Sequence, residues 1–144
     1  TPSKPCSYRC GASGSWKMKR NFLREWQRFK GRCIYSSAGL ILAWREEHSF
    51  RFWAYMNIIS ASLSLYLPIP IVFRGLIICL GILVLAAECF NTAIERVVNH
   101  LSPGPHPLAK AAKDAGSAGV ALTAIATGIA WVFALIFLFS DKYV

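Results

Sequence analysis

Residues 87–99 read "AECFNTAIERVVN" and follow directly on an apolar run, "GLIICLGILVLAA". Glu88, Asn91 and Glu95 stand at i, i+3 and i+7, which on a helix stacks them along one face over about two turns, and Asn99 extends the stripe. An ionised carboxylate at membrane depth costs on the order of 2.5 kcal/mol or more unless it is paired or hydrated, so a Glu in that setting points to function. The plainer alternative pairs Glu88 and Glu95 with Arg96, Lys110 or Lys113 at an interface; two carboxylates on one face weigh against it. Downstream, "HPLAKAAKDAGSAG" puts Lys110 and Lys113 on one helical face, with Asp114 at the mouth of the next apolar segment. Upstream, "REEHSF" places Glu46 and Glu47 at the head of an earlier one, where a solvated helix end is the competing explanation. Carboxylates beside cations at a lipid boundary suit a triphosphate with its magnesium: carboxylates hold the metal, a lysine neutralises phosphate oxygens, and a further carboxylate takes a proton. Neither a Walker A loop nor a GxGxxG loop occurs, so such a site is not of a familiar soluble kind. A different class of reading, a non-catalytic membrane protein or small cation carrier, would use Glu88 and Glu95 as proton or cation sites.

The elements that must position these residues follow from composition and period. The 144 residues are 55% hydrophobic and only 16% charged, the balance of a membrane protein rather than a soluble domain. Most of the Lys and Arg behind the net charge of +9 precede residue 52 and adjoin apolar segments, which favours an anionic membrane surface over nucleic acid. Residues 1–17 have no apolar period and no uninterrupted apolar stretch, so they are expected to be mobile and without assigned function; Met18 reads as a start. In "MKRNFLREWQRFKGRC", Phe22, Trp26, Phe29 and Cys33 recur at helical spacing with basic residues on the other faces, the pattern of a helix lying in the headgroup layer. "IYSSAGLILAW" follows as a segment too short to span reliably, and the surface helix is expected over about 18–46. Three spans are expected, at about 50–68, 71–99 and 115–140, the first ended by the prolines of "LPIPIVFRG". The fold class is therefore all-α, an amphipathic surface helix plus three transmembrane helices.

The basic residues before the first span, with Arg96, Lys110 and Lys113, put the N-terminus and the 100–114 loop in the cytoplasm and the C-terminus outside. Three helices make a thin bundle for burying polar groups, so an oligomer is expected, with Gly81, Ala86, Ala87, Gly116, Gly119 and Gly128 offering close helix contacts. The five cysteines form neither a CxxC pair nor a zinc-spaced cluster.

"AECFNTAIERVV" followed by "HPLAKAAKDAGSAGVAL" resembles the signature of the prokaryotic diacylglycerol kinase family, small integral-membrane lipid kinases that include the undecaprenol kinases. The resemblance runs from about Phe29 to Phe139 and is specific in the two motifs. It implies a homotrimer in the bacterial cytoplasmic (inner) membrane with active sites shared between subunits. The implied reaction moves the γ-phosphate of ATP, with magnesium, to a lipid hydroxyl: that of diacylglycerol or, alternatively, undecaprenol. By motif, Glu88 resembles the base that takes the hydroxyl proton, with Asn91 beside it. Glu95 and Glu47 resemble the magnesium ligands, with Glu46 as the other candidate in that dipeptide. Lys113 resembles the residue on the ATP phosphates, Asp114 and Asn99 lie on the nucleotide side, and Ser117 falls near the base, toward the lipid substrate. Asn99 departs from the family, which usually has Asp there, keeping hydrogen bonding but losing a charge. "HPLAK" leans toward the polyprenol branch and "DAGSAGVAL" toward the diacylglycerol branch.

Overall fold

The computed structural model describes residues 12–140, with side chains described from Asn21 onward. Among the described residues four helices follow in order: α1 (Ala12–Glu46), α2 (His48–Tyr66), α3 (Ile71–Leu101) and α4 (Pro107–Ser140). No strand occurs among the described residues. The mobile extension expected over residues 1–17 lies largely outside the described residues, and from Ala12 onward the chain is helical. The chain divides into two compact units, one up to Gly39 and one from Leu40.

In the first unit, the apolar positions of α1 do face outward: Phe22, Trp26 and Phe29 are exposed. Trp26 and Phe29 stack with ring centroids 5.9 Å apart, and Lys30 Nζ lies 5.6 Å from the Trp26 ring. An aromatic strip flanked by cations is the surface an amphipathic helix presents to a headgroup layer. α1 runs unbroken through "IYSSAGLILAW" to Glu46, where the surface helix was expected to end.

In the second unit, one residue joins α1 to α2: Glu47, extended at φ −102° and ψ 114°. Arg51, a charge inside an otherwise apolar helix, turns back so that its Nη1 donates to the carbonyls of Trp44 (2.9 Å) and Arg45 (3.1 Å). A guanidinium thus satisfies carbonyls that the end of α1 leaves open. At the next turn Pro70 starts α3, and Arg74 Nη2 donates to the Leu67 carbonyl at 3.0 Å, tying the loop to the helix it precedes. His106 precedes α4, where its Nδ1 accepts from the Leu108 N–H at 3.2 Å. That capping contact starts α4 at Pro107, earlier than the 115 expected from apolarity alone, because Lys110, Lys113 and Asp114 ride on the first turns of the same helix.

Helix α3 packs against both α2 and α4. Its buried residues are Ile77, Gly81, Val84, Glu88 and Thr92, a single stripe at helical spacing. The upper part joins a cluster of Ile69, Ile77, Ala130 and Ala134 with Phe73, Leu80 and Trp131 packed around it. Trp131 Nε1 donates to Ser60 Oγ at 2.8 Å, joining α4 to α2.

Among the described residues two helices, α3 and α4, are long and apolar enough to cross a membrane, each with a mean hydropathy of 2.3. Only 22% and 11% of their most apolar windows are buried, so the apolar surface faces outward, as in a membrane protein and unlike the core helices of a soluble one. Helix α2 is not one of the two, since Arg51, Asn57 and four serines dilute its 19 residues.

Gly81 lets α2 approach closely, because a Cβ there would run into the Asn57 side-chain oxygen. Gly81→Ala is expected to lower stability by about 1–3 kcal/mol through overpacking. Thermal unfolding in detergent checks this: the midpoint falls for Gly81→Ala and recovers when Asn57→Ala removes the obstructing amide.

Candidate active site

Glu88 is buried because of where it falls on α3: it continues the stripe of Ile77, Gly81 and Val84 toward the far end of the helix. It is 3% exposed. From α2, Ser49 Oγ donates a hydrogen bond to Glu88 Oε1. One turn further along α3, Asn91 Nδ2 donates to Glu95 Oε1 at 3.2 Å. The Asn91 Oδ1 is enclosed and has no partner, pressed against the place where Gly116 of α4 lacks a side chain. Ser49, Trp53, Glu88, Asn91, Glu95 and Ser117 line one pocket of about 340 Å³. Four of the residues expected from the sequence therefore share a cavity: Glu88, Asn91, Glu95 and Ser117.

The acidic pair at the α1–α2 junction meets α3 further along. Arg96 Nη2 lies 2.9 Å from Glu46 Oε2 and 2.9 Å from Glu47 Oε1. This is a different outcome from pairing Arg96 with Glu88 or Glu95, and among the described residues neither of those carboxylates forms an ion pair. Lys110 and Lys113, the other proposed counter-ions, line a second pocket of about 600 Å³ with Asn99 and His106. There Lys113 Nζ donates to Asn99 Oδ1 at 2.7 Å. Asp114 is exposed and lines neither pocket. The site residues thus form three groups along α3: a carboxylate pocket, an arginine-clamped acidic pair and a lysine-lined cavity.

Among the described residues no three His, Cys, Asp or Glu side chains gather into a metal cage. Magnesium, however, takes one or two carboxylates plus substrate phosphates and seldom an all-protein cage. The Glu95 carboxylate, which lines the pocket and accepts from Asn91 through Oε1, is an oxygen donor of the kind that fits such an ion arriving with a nucleotide. Glu47 already faces a cation, the Arg96 guanidinium.

Ser49, Trp53 and His106 line these pockets without having been singled out in the sequence. Ser49 was legible only as a neighbour of Glu47 in "REEHSF", and its contact with Glu88 spans 39 residues. For His106 the available signal was its place before Pro107, where a side chain can cap a helix.

A Cβ on Gly116 would stand 2.5 Å from Asn91 Oδ1, whereas one on Gly119 would meet nothing within 4 Å. Gly116→Ala is therefore expected to displace the Asn91 amide from Glu95, and Gly119→Ala to leave it in place. Side-chain amide resonances of Asn91 check this by NMR: they move in the first variant and not in the second.

Comparison with known proteins covers the same stretch. The prokaryotic diacylglycerol kinase family model matches residues 34–135, which contain every residue of the three groups. A diacylglycerol kinase of Pseudomonas aeruginosa is 41% identical over 93 residues, 63% of this chain and 76% of that protein. One from Escherichia coli K12 is 35% identical over 101 residues, 70% of this chain and 83% of that protein. One from Haemophilus influenzae is 35% identical over 97 residues, covering 67% and 82%. The match takes in the buried stripe of α3, the α1–α2 junction and the lysine-bearing start of α4, and the chain belongs to the prokaryotic diacylglycerol kinase family.

Proposed function

We propose that the chain is an ATP- and magnesium-dependent lipid kinase of the bacterial cytoplasmic membrane, which transfers the γ-phosphate of ATP to the hydroxyl of diacylglycerol and yields phosphatidic acid. The observation that carries this reading is Glu88, a buried carboxylate with no cationic partner among the described residues, held in a pocket beside two hydroxyls and an amide. A carboxylate so placed is free to take a proton. The kinase names of the relatives supply the reaction to which that proton belongs.

In this reading the lipid hydroxyl enters the pocket and gives its proton to Glu88 as its oxygen bonds to the γ-phosphorus. The bond from that phosphorus to the β,γ-bridging oxygen breaks, and ADP leaves. Phosphoryl transfer needs chiefly positioning and charge neutralisation, so a small helical bundle suffices. Asn91 holds Glu95 in place, and Ser117 borders the lipid side of the pocket. Magnesium bound with ATP would be held by Glu95 and Glu47 and would spread the charge of the phosphates. Lys113 neutralises phosphate oxygens, and Asn99 steadies its ammonium without cancelling its charge, which an Asp there would do. Asp114 lies on the nucleotide side.

We assign α2 as a third span. Three of its polar side chains are hydrogen-bonded within the protein: Asn57 Nδ2 donates to the Trp53 carbonyl at 2.8 Å, Ser64 Oγ to the Ala61 carbonyl at 2.8 Å, and Ser60 accepts from Trp131. Satisfied polar groups are what a helix needs in order to sit in lipid. The basic residues of α1 and of the start of α4 then lie at the cytoplasmic face, with the C-terminus outside. Because Lys113 and Asp114 stand outside the Glu88 pocket, a homotrimer whose sites are completed between subunits accounts for the separation of the three groups.

Purified protein in bilayers, given magnesium and γ-labelled ATP, is expected to label phosphatidic acid from diacylglycerol. Label confined to undecaprenol in a separate reaction would instead assign the protein to the polyprenol branch, toward which "HPLAK" points. In the same assay Lys113→Ala is expected to raise the KM for ATP about tenfold or more while the KM for lipid stays within about twofold, the loss of one charge-assisted contact.

A further inference from the structure

A buried acid with no counter-ion among the described residues still has to be aimed, and one hydroxyl is placed to do so. Glu88 lies between Val84 and Thr92 on the buried stripe of α3, with Trp53, Val120 and Ala121 lining the pocket beside it. Among the described residues the Ser49 hydroxyl is the one side-chain donor that reaches its carboxylate. A carboxylate accepts at about four lone-pair positions and turns freely about its last bond unless something fixes it. One donor on Oε1 fixes that rotation and leaves Oε2 for an incoming hydroxyl.

Ser49 is the second residue of α2, directly after the junction at Glu47. Its position is therefore set by the short link that also carries the Arg96-clamped acidic pair. The contact couples the helix bearing the base to the junction bearing Glu47. It also lines the pocket with a hydroxyl where a larger or apolar side chain would fill or dry it.

We propose that Ser49 is a positioning residue for Glu88: its Oγ–H donates to Oε1 and turns Oε2 toward the lipid hydroxyl that is to lose its proton. The proposal rests on Glu88 being the base. It requires a hydroxyl at position 49, not merely a small side chain, and Ser49 itself is exposed, so the extra methyl of a Thr has room.

The test compares Ser49→Ala and Ser49→Thr in the intact protein in bilayers. Ser49→Ala is expected to lower kcat about tenfold or more, the effect of a lost hydrogen bond to a charged group, with the KM for ATP unchanged within about twofold. Ser49→Thr is expected to restore kcat to within about threefold of the parent protein. Wild-type kcat in Ser49→Ala, or failure of Ser49→Thr to recover what Ser49→Ala loses, overturns the proposal. Infrared difference spectroscopy reads the same contact without turnover: the carboxylate band that Glu88→Gln removes should shift in Ser49→Ala and return in Ser49→Thr. An unmoved band overturns the proposal whatever the activity. If the band shifts but Glu88→Gln still phosphorylates lipid, it is the assignment of Glu88 as base that fails, and the positioning role falls with it.

Discussion

The arrangement of this protein turns on a single packing constraint on α3. The stripe that carries Ile77, Gly81 and Val84 into the interior continues, at unchanged helical spacing, through Glu88 and Thr92. A carboxylate is thereby buried by the same geometry that buries a core valine. Removing Glu88 from the interior would require rotating the helix, which would lift Ile77 and Val84 out of their contacts with α2 and α4. The acid is held in place by the packing of its neighbours, and among the described residues its carboxylate is met by the Ser49 hydroxyl and a polar pocket rather than by a salt bridge.

Among the described residues the basic groups leave that acid without an ion pair. Arg96, one residue from Glu95 in sequence, turns instead to Glu46 and Glu47. Arg51 spends its donors on the last carbonyls of α1, Arg74 donates to the loop before α3, and Lys113 donates to Asn99. Each of these cations steadies a junction or a neighbouring polar group. A Glu88 paired with a cation would be a structural ion pair; without one among the described residues it is an acid lining a pocket, a setting that points to function.

Much of this was legible in the sequence, for reasons that can be stated. The i, i+3, i+7 spacing of Glu88, Asn91 and Glu95 is a property of one helix, and it places all three at one pocket together with Ser117. The outward aromatic face of α1 follows from the same period. Contacts that join distant parts of the chain were not legible, because no local pattern encodes them: Arg96 with Glu46 and Glu47, Ser49 with Glu88, Trp131 with Ser60. Apolarity located the lipid-facing part of α4 but missed its first turns, since a helix carrying Lys110, Lys113 and Asp114 looks like a loop to a hydropathy count. For α2 the reverse holds: a helix forms over His48–Tyr66 where a span was expected at about 50–68, and its polar residues keep it below the hydropathy of α3 and α4.

The most direct measurement concerns the buried acid itself. Glu88→Gln keeps the shape of the side chain and its ability to hydrogen-bond Ser49 but cannot take a proton. In bilayers with magnesium, ATP and diacylglycerol, the expected result is a fall in kcat of about 10² or more, with ATP binding and thermal stability retained. Turnover at the parent rate by a correctly folded Glu88→Gln protein would contradict the assignment of the α3 stripe as a catalytic face.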